Sequence, residues 1–289
     1  MKYLSALIIT IIFTSSCSAA QKTLQNDSNG NVEVRNTIEI PSTTTNANNA
    51  IEISLGEDGT ISDNGITETT ETIYTEAFDH SILNNLLQKF VSANGNVDYK
   101  GLKGDYKTLQ SYIELLKTNQ PKDDWTKNDK LAYWINAYNA LTIDLILRNY
   151  PTKSIKDIKD PWDQRLWKLG DNWQNLNDIE HKILRSMDEP RIHFAIVCAS
   201  ISCPKLQNTA FTASKLEDQL TNATKEFLAD TTKNELSEEQ IKISRIFKWF
   251  KKDFETNGSL IDFLNQYSDV KISNSAKKSF KDYDWNLNE

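Results

Sequence analysis

The segment "KNDKLAYWINAYNALTIDLILRNYP", from Lys127 to Pro151, constrains the fold of this chain more than any other. Leu131, Trp134, Ile135, Tyr138, Leu141, Thr142 and Leu145 recur at helical spacing and make one stripe. Ala132, Asn136, Asn139, Ile143 and Leu147 make a second stripe beside it. A helix apolar on two stripes is covered on most of its surface, so it belongs in a core. Pro151 ends it soon after Arg148. Asn136 and Asn139 then lie on a covered face, where an unpaired amide costs about 1–3 kcal/mol. Either they hold backbone or other side chains in place, or they line a polar cleft.

Around this helix the pattern is α+β: a helix-rich single domain, residues 76–289, around a small β-sheet. "HSILNNLLQKFV", "YKTLQSYIELLK", "NDIEHKILRSM", "SKLEDQLTNATKEFLAD" and "SLIDFLNQY" read as helices. In the third, Asn177 suits the N-cap and Glu180 its capping-box partner. "NVDYKGLKGD" reads as turn and short strand, and "QIKIS" as a strand. "DPWDQRLWKLGDNWQNLND" reads as a loop, but Trp162, Trp167 and Trp173 predict that it packs down or walls a pocket. All seven tryptophans fall in this part of the chain.

The first 75 residues have a different character. Met1-Lys2, the run "YLSALIITIIF" and the small residues after it form an export signal, too short to span a bilayer. "TSSC" places Cys17 as a lipidation site of the bacterial lipoprotein type, although Thr14 stands where that motif usually has Leu. Cleavage near residue 20 is the alternative. Residues 18–75 are rich in Thr, Asn, Ser and Glu, and read as a disordered acidic tether. From Ser18 to Thr75 nine acidic and two basic residues give −7, which equals the −7 of the whole chain. The folded part is therefore near neutral and offers no footprint for nucleic acid. The expected place is the bacterial cell envelope, facing the periplasm or anchored in the outer membrane through lipid on Cys17.

"RIHFAIVCASISCPKL", residues 191–206, carries one of three histidines and two of three cysteines. "RIHFAIVC" reads as a strand and "ASISCP" as the turn that ends it. Strand alternation puts His193 and Cys198 on opposite sides, about 16–17 Å apart at ~3.3 Å per residue. His181, on the preceding helix, is then the histidine that can serve Cys198. No paired CxxC or HExxH spacing suggests a metal, and no phosphate-binding glycine loop or GxSxG elbow occurs. No cofactor is expected. Three readings remain for the cysteines: a nucleophile, a Cys198–Cys203 disulfide, or buried packing.

These motifs together resemble the family called domain of unknown function 547. The resemblance rests on "VDYKGL", "AYWINAYNALTI", "IEHKILR", "RIHFAIVCASISCP", "IFKWFKKDF" and "YDWNLN", and covers residues 78–289. It implies that Asn136, Tyr138, Asn139, His181, His193, Cys198 and Pro204 occupy signature positions. Plant members carry serine where Cys203 stands, which argues against a disulfide and against an essential role for Cys203, and leaves Cys198 as the better nucleophile. A cysteine-protease- or transglutaminase-like site would need a permuted order, because both histidines precede Cys198.

The functional expectation is a thiol-dependent hydrolase or acyltransferase. Cys198 is the nucleophile and His181 the base; Glu180 and Asn136 orient the base or donate to an oxyanion. Asn139, Tyr138, His193, Trp162 and Trp167 are the candidate binding residues. The alternative is a non-catalytic envelope lipoprotein that binds a peptide, glycan or small ligand.

Overall fold

The computed structural model describes residues 75–289. The export signal, Cys17 and nearly all of the tether lie outside the described residues.

Helix α4 (Lys127–Asn149) runs through the core, and every residue from Leu131 to Leu147 is buried. Its start is fixed by a reciprocal cap. Thr126 Oγ1 accepts from the Asp129 amide, and the Asp129 carboxylate accepts from the Thr126 amide. Three helices precede it: α1 (Ser81–Phe90), α2 (Tyr99–Gly104) and α3 (Tyr106–Thr118). The α2 stretch is the "VDYKGLKG" segment expected as turn and strand. Asp98 caps it by accepting the Gly101 amide, and Tyr99 and Leu102 are buried. Both α2 and α3 pack on α4, with α1 behind α3.

The tryptophan-rich stretch folds into a hairpin of β1 (Trp167–Leu169) and β2 (Asn172–Gln174). The chain then enters α5 (Leu176–Asp178), a π-helical turn (Ile179–Leu184) and a 3₁₀ turn (Arg185–Met187). The N-cap is Asn175, which accepts the Asp178 amide, rather than Asn177. Glu180 is consequently no capping partner and is free for another role.

"RIHFAIVC" forms no strand. Pro190–Phe194 coil as a 3₁₀ turn, with Glu189 accepting the Arg191 amide and Pro190 at the first position. Proline suits that place because its φ is preset and its missing N–H has no partner to lose. Residues 195–204 follow as an irregular loop, with Ala199 at φ 57°.

The second half holds α6 (Leu216–Ala229), α7 (Ile246–Trp249), α8 (Lys251–Phe254) and α9 (Leu260–Tyr267). A small sheet joins β3 (Glu235–Leu236), β4 (Gln240–Ile243) and β5 (Lys277–Phe280), antiparallel then parallel. The fold is thus α+β and helix-rich. Its core, however, is built on α4 rather than on a central sheet.

Two apolar clusters form. One surrounds α4. The other gathers Phe194, Phe227, Phe247, Phe254 and Phe263 between α6 and α9. Residues 192–197 bridge them: Phe194 enters the second cluster, while Ile192, Ala195, Ile196 and Val197 enter the first.

The two α4 amides hold backbone. Asn136 donates to the Phe211 carbonyl at 2.7 Å and accepts the Phe211 amide at 3.0 Å. Asn139 donates to the Ala195 carbonyl at 2.9 Å and accepts the Val197 amide at 3.0 Å. Asn139 therefore sets the chain immediately before Cys198. Asn136 does not reach the site; both ends of its amide are committed to the Phe211 peptide groups.

Candidate active site

A cavity of about 290 Å³ lies where the 195–204 loop, the π-helical turn, α7 and the C-terminus converge. Tyr138, Trp162, Glu180, His181, His193, Cys198 and Cys203 all line it. The 3₁₀ coil shortens the path from His193 and removes the strand alternation, so both His193 and Cys198 reach one cavity. Trp167 does not belong to it. That ring is buried and its Nε1 donates to Asp144 at 2.6 Å, so its role is packing.

The extended C-terminal residues 284–288 pin the cysteine loop from outside. Ile201 and Ser202 donate their amides to the Asn286 and Asp284 carbonyls, and the Asn288 amide donates to the Ala199 carbonyl. This pairing brings Tyr283 and Trp285 to the cavity wall. The Tyr283 hydroxyl then lies 3.2 Å from Cys203 Sγ and 3.5 Å from Cys198 Sγ.

Cys198 and Cys203 are both free thiols. Cys198 is half-buried and Cys203 fully buried. Cys203 Sγ accepts the Cys198 amide at 3.1 Å and lies within hydrogen-bond reach of Ser200 Oγ at 3.3 Å and of the Tyr283 hydroxyl. Ser200 Oγ also sits 3.2 Å from Cys198 Sγ. Burial penalises charge on Cys203, but the neighbouring Cys198 thiol, Ser200 and Tyr283 outweigh it and hold this sulfur below the ordinary thiol range. The neighbouring Cys203 sulfur and burial together push the ionisation of Cys198 well up. Both sulfurs lie against the same two hydroxyls, Ser200 Oγ and Tyr283. Among the described residues, neither sulfur has a histidine nitrogen as a hydrogen-bond partner.

The histidines are engaged elsewhere. Arg185 forms two bonds to Asp253, at 2.6 and 2.7 Å, and its other terminal nitrogen meets His181 Nδ1 at 2.8 Å. A guanidinium only donates, so Nδ1 must accept and neutral His181 carries its proton on Nε2. His181 therefore offers a donor, not the base expected from the sequence. His193 Nε2 meets Asp253 at 2.8 Å and donates to it, and its ring stacks on Phe250 at 3.9 Å. Burial lowers the pKa of both histidines, so both favour the neutral form. Burial would raise Asp253, but its bonds to Arg185 and His193 keep it well below the usual carboxylate range. The third histidine, His80, is remote from the site, bonded through Nδ1 to the Tyr112 hydroxyl at 2.7 Å.

Glu180 is a buried carboxyl on the cavity wall. The Tyr138 hydroxyl donates to it at 3.1 Å. Burial raises its pKa to about 7, the Tyr138 bond opposing. That value suits proton transfer at neutral pH. It also has a stability signature. A raised acid stabilises the fold below its unfolded value near 4.5 and loses that contribution as pH rises through about 7. The loss amounts to about 3 kcal/mol. Relative to wild type, Glu180→Gln gains about that much unfolding free energy between pH 4.5 and 8, as read from urea titrations. A pH-independent difference between the two proteins contradicts this.

Tyr283, Ser200, Asp253, Trp249 and Trp285 were not singled out as site residues in the sequence. Their only signal there was membership of the "IFKWFKKDF" and "YDWNLN" motifs and of the cysteine loop. Among the described residues no group of three or more His, Cys, Asp or Glu is placed to hold a metal ion.

The fold and site define a helix-rich α+β domain with a thiol pair and a buried carboxyl in one pocket. The family model described as "Protein of unknown function, DUF547" matches residues 122–228, and over this stretch the chain is similar to that family. The match includes α4, Glu180, both site histidines and both cysteines; Asp253, Tyr283 and Trp285 lie beyond it. No curated protein and no solved structure matches the chain.

Proposed function

We propose that this domain is a thiol-dependent acyl-transfer enzyme that hydrolyses an ester or amide or passes the acyl group to another acceptor. One observation carries the reading: a hydrogen-bonded pair of free thiols shares a cavity with the buried carboxyl of Glu180. Cys198 is the sulfur with access, so it attacks the substrate carbonyl carbon. Its proton passes to the Cys203 sulfur, which shares Ser200 Oγ and the Tyr283 hydroxyl with it as neighbours. The carbonyl electron pair moves to oxygen, where the Nε2–H of His181 donates. The tetrahedral species collapses, and the leaving group takes the Glu180 proton. Water then attacks the thioester and gives a proton back to Glu180. Cys198 leaves as thiolate and recovers its proton from Cys203. The export signal and Cys17 support a site of work at the bacterial cell envelope, with the membrane as partner through lipid.

Intact mass spectrometry after brief exposure to p-nitrophenyl acetate tests the assignment. Wild type gains one acetyl group on the Cys198 peptide, and Cys198→Ala gains none and loses turnover. An adduct unchanged in Cys198→Ala overturns it. A second reading, a binding site without catalysis, is favoured by the aromatic wall of the same cavity. It requires ligand binding with no acyl adduct in any variant.

A further inference from the structure

The thiol chemistry leaves the class of substrate open, and the cavity wall narrows it. We infer that the cavity takes a cationic substrate, whose ammonium-type group rests on the aromatic wall of Trp162, Trp249, Tyr283 and Trp285.

The four rings are contiguous. Tyr283 and Trp285 have centroids 4.6 Å apart, Trp249 and Tyr283 4.8 Å, Trp249 and Trp285 5.8 Å, and Trp162 and Trp285 5.9 Å. Trp249 is 45% exposed, although its neighbours Ile246 and Phe247 on α7 are buried. An indole left in water at a cavity mouth offers its face to a ligand. The face of an aromatic ring is electron-rich and attracts cations.

Two cations already use such faces. Lys156 Nζ sits 5.1 Å from the Trp285 centroid, and the Arg185 guanidinium lies 5.4 Å from that of Phe250, another lining residue. The charges of the lining agree. It contains Asp163 and Glu180 and neither lysine nor arginine. Arg185 stands behind His181, with its charge offset by two bonds to Asp253. The sulfur pair adds negative charge when ionised. An anionic substrate meets repulsion from Asp163 and from the sulfur pair when ionised, whereas a cation meets no lysine or arginine within the lining.

The inference deepens the acyl-transfer reading and rests on it only for the carbonyl that reacts. Its test needs no turnover. Full-length Cys198→Ala is titrated by tryptophan fluorescence and calorimetry with Nα-acetyl-lysine methyl ester, its norleucine counterpart and a neutral disaccharide. The lysine ester should bind about tenfold more tightly than the norleucine ester, a ratio within reach of a cation on a partly desolvated indole. Adding Trp285→Leu or Asp163→Asn should reduce that ratio several-fold, and Trp285→Phe should keep most of it. Asp163 is exposed, so its variant reports on charge without threatening the fold. Equal binding of the two esters, or tighter binding of the disaccharide, overturns the inference. Acylation of wild type by both esters at equal rates sinks the charge preference and leaves the thiol reading intact. Cation-selective binding without any acyl adduct does the reverse.

Discussion

Asn139→Ala should lower the unfolding free energy by about 2–5 kcal/mol, since two buried backbone groups each lose their partner. The Ala195 carbonyl and the Val197 amide are both buried, and Asn139 serves both through one planar amide. The neighbouring irregular loop has no ladder to take over those bonds. Asn139→Asp restores only the acceptor for Val197 and buries a carboxyl, so it should be no better. The effect also reaches the chemistry. Once residues 195–197 are released, the Cys198 amide no longer holds its aim at Cys203 Sγ. Urea unfolding read by tryptophan emission checks the first part, and thiol alkylation of the still-folded protein checks the second. A loss below 1 kcal/mol with unchanged alkylation contradicts the assignment of Asn139 as the clamp of the cysteine loop.

Cys203→Ser has the largest expected effect on rate. Serine keeps the shape and can still bond to Ser200, Tyr283 and the Cys198 amide. It cannot accept the Cys198 proton at neutral pH, because an alkoxide is far too basic. Acylation of Cys198 at pH 7 should fall about 100-fold, the usual scale for losing a positioned base. The pH profile separates this from damage to the fold: the residual rate should climb through the ordinary thiol range near ~8.5. A variant that retains the wild-type rate and profile removes Cys203 from the mechanism.

The helical frame and most of the residues that line the cavity are legible in the sequence, but the local geometry that joins them is not. Helix α4 was legible because both of its stripes are apolar over 23 residues and Pro151 follows it. Its amides were recognisable as buried polar groups, though which backbone they bind depends on segments 56 to 75 residues away. "RIHFAIVC" misled because isoleucine, valine and phenylalanine favour strands locally. Here they are apolar because residues 192–197 bridge two clusters, and Glu189-Pro190 was the overlooked signal for a helical start. That error separated His193 from Cys198 and favoured His181 as the base. The arginine that fixes the tautomer of His181 lies only four residues on, but its bond depends on the position of Asp253, set by α8. Nothing local in the sequence marks Tyr283, because its approach to the sulfurs spans 80 residues or more and depends on the pairing of residues 284–288 with the cysteine loop.

The proposed mechanism requires that the sulfur pair carry a thiolate at neutral pH in an accessible cavity. Iodoacetamide labelling of folded wild type across pH 5 to 10, with peptide mapping of residues 191–206, tests it most directly. The account predicts that labelling of this peptide is half-maximal well below the ordinary thiol pKa of ~8.5. It also predicts that the midpoint moves up in Tyr283→Phe and in Cys203→Ser. A wild-type midpoint at or above that of a free thiol, unmoved by either change, would contradict it.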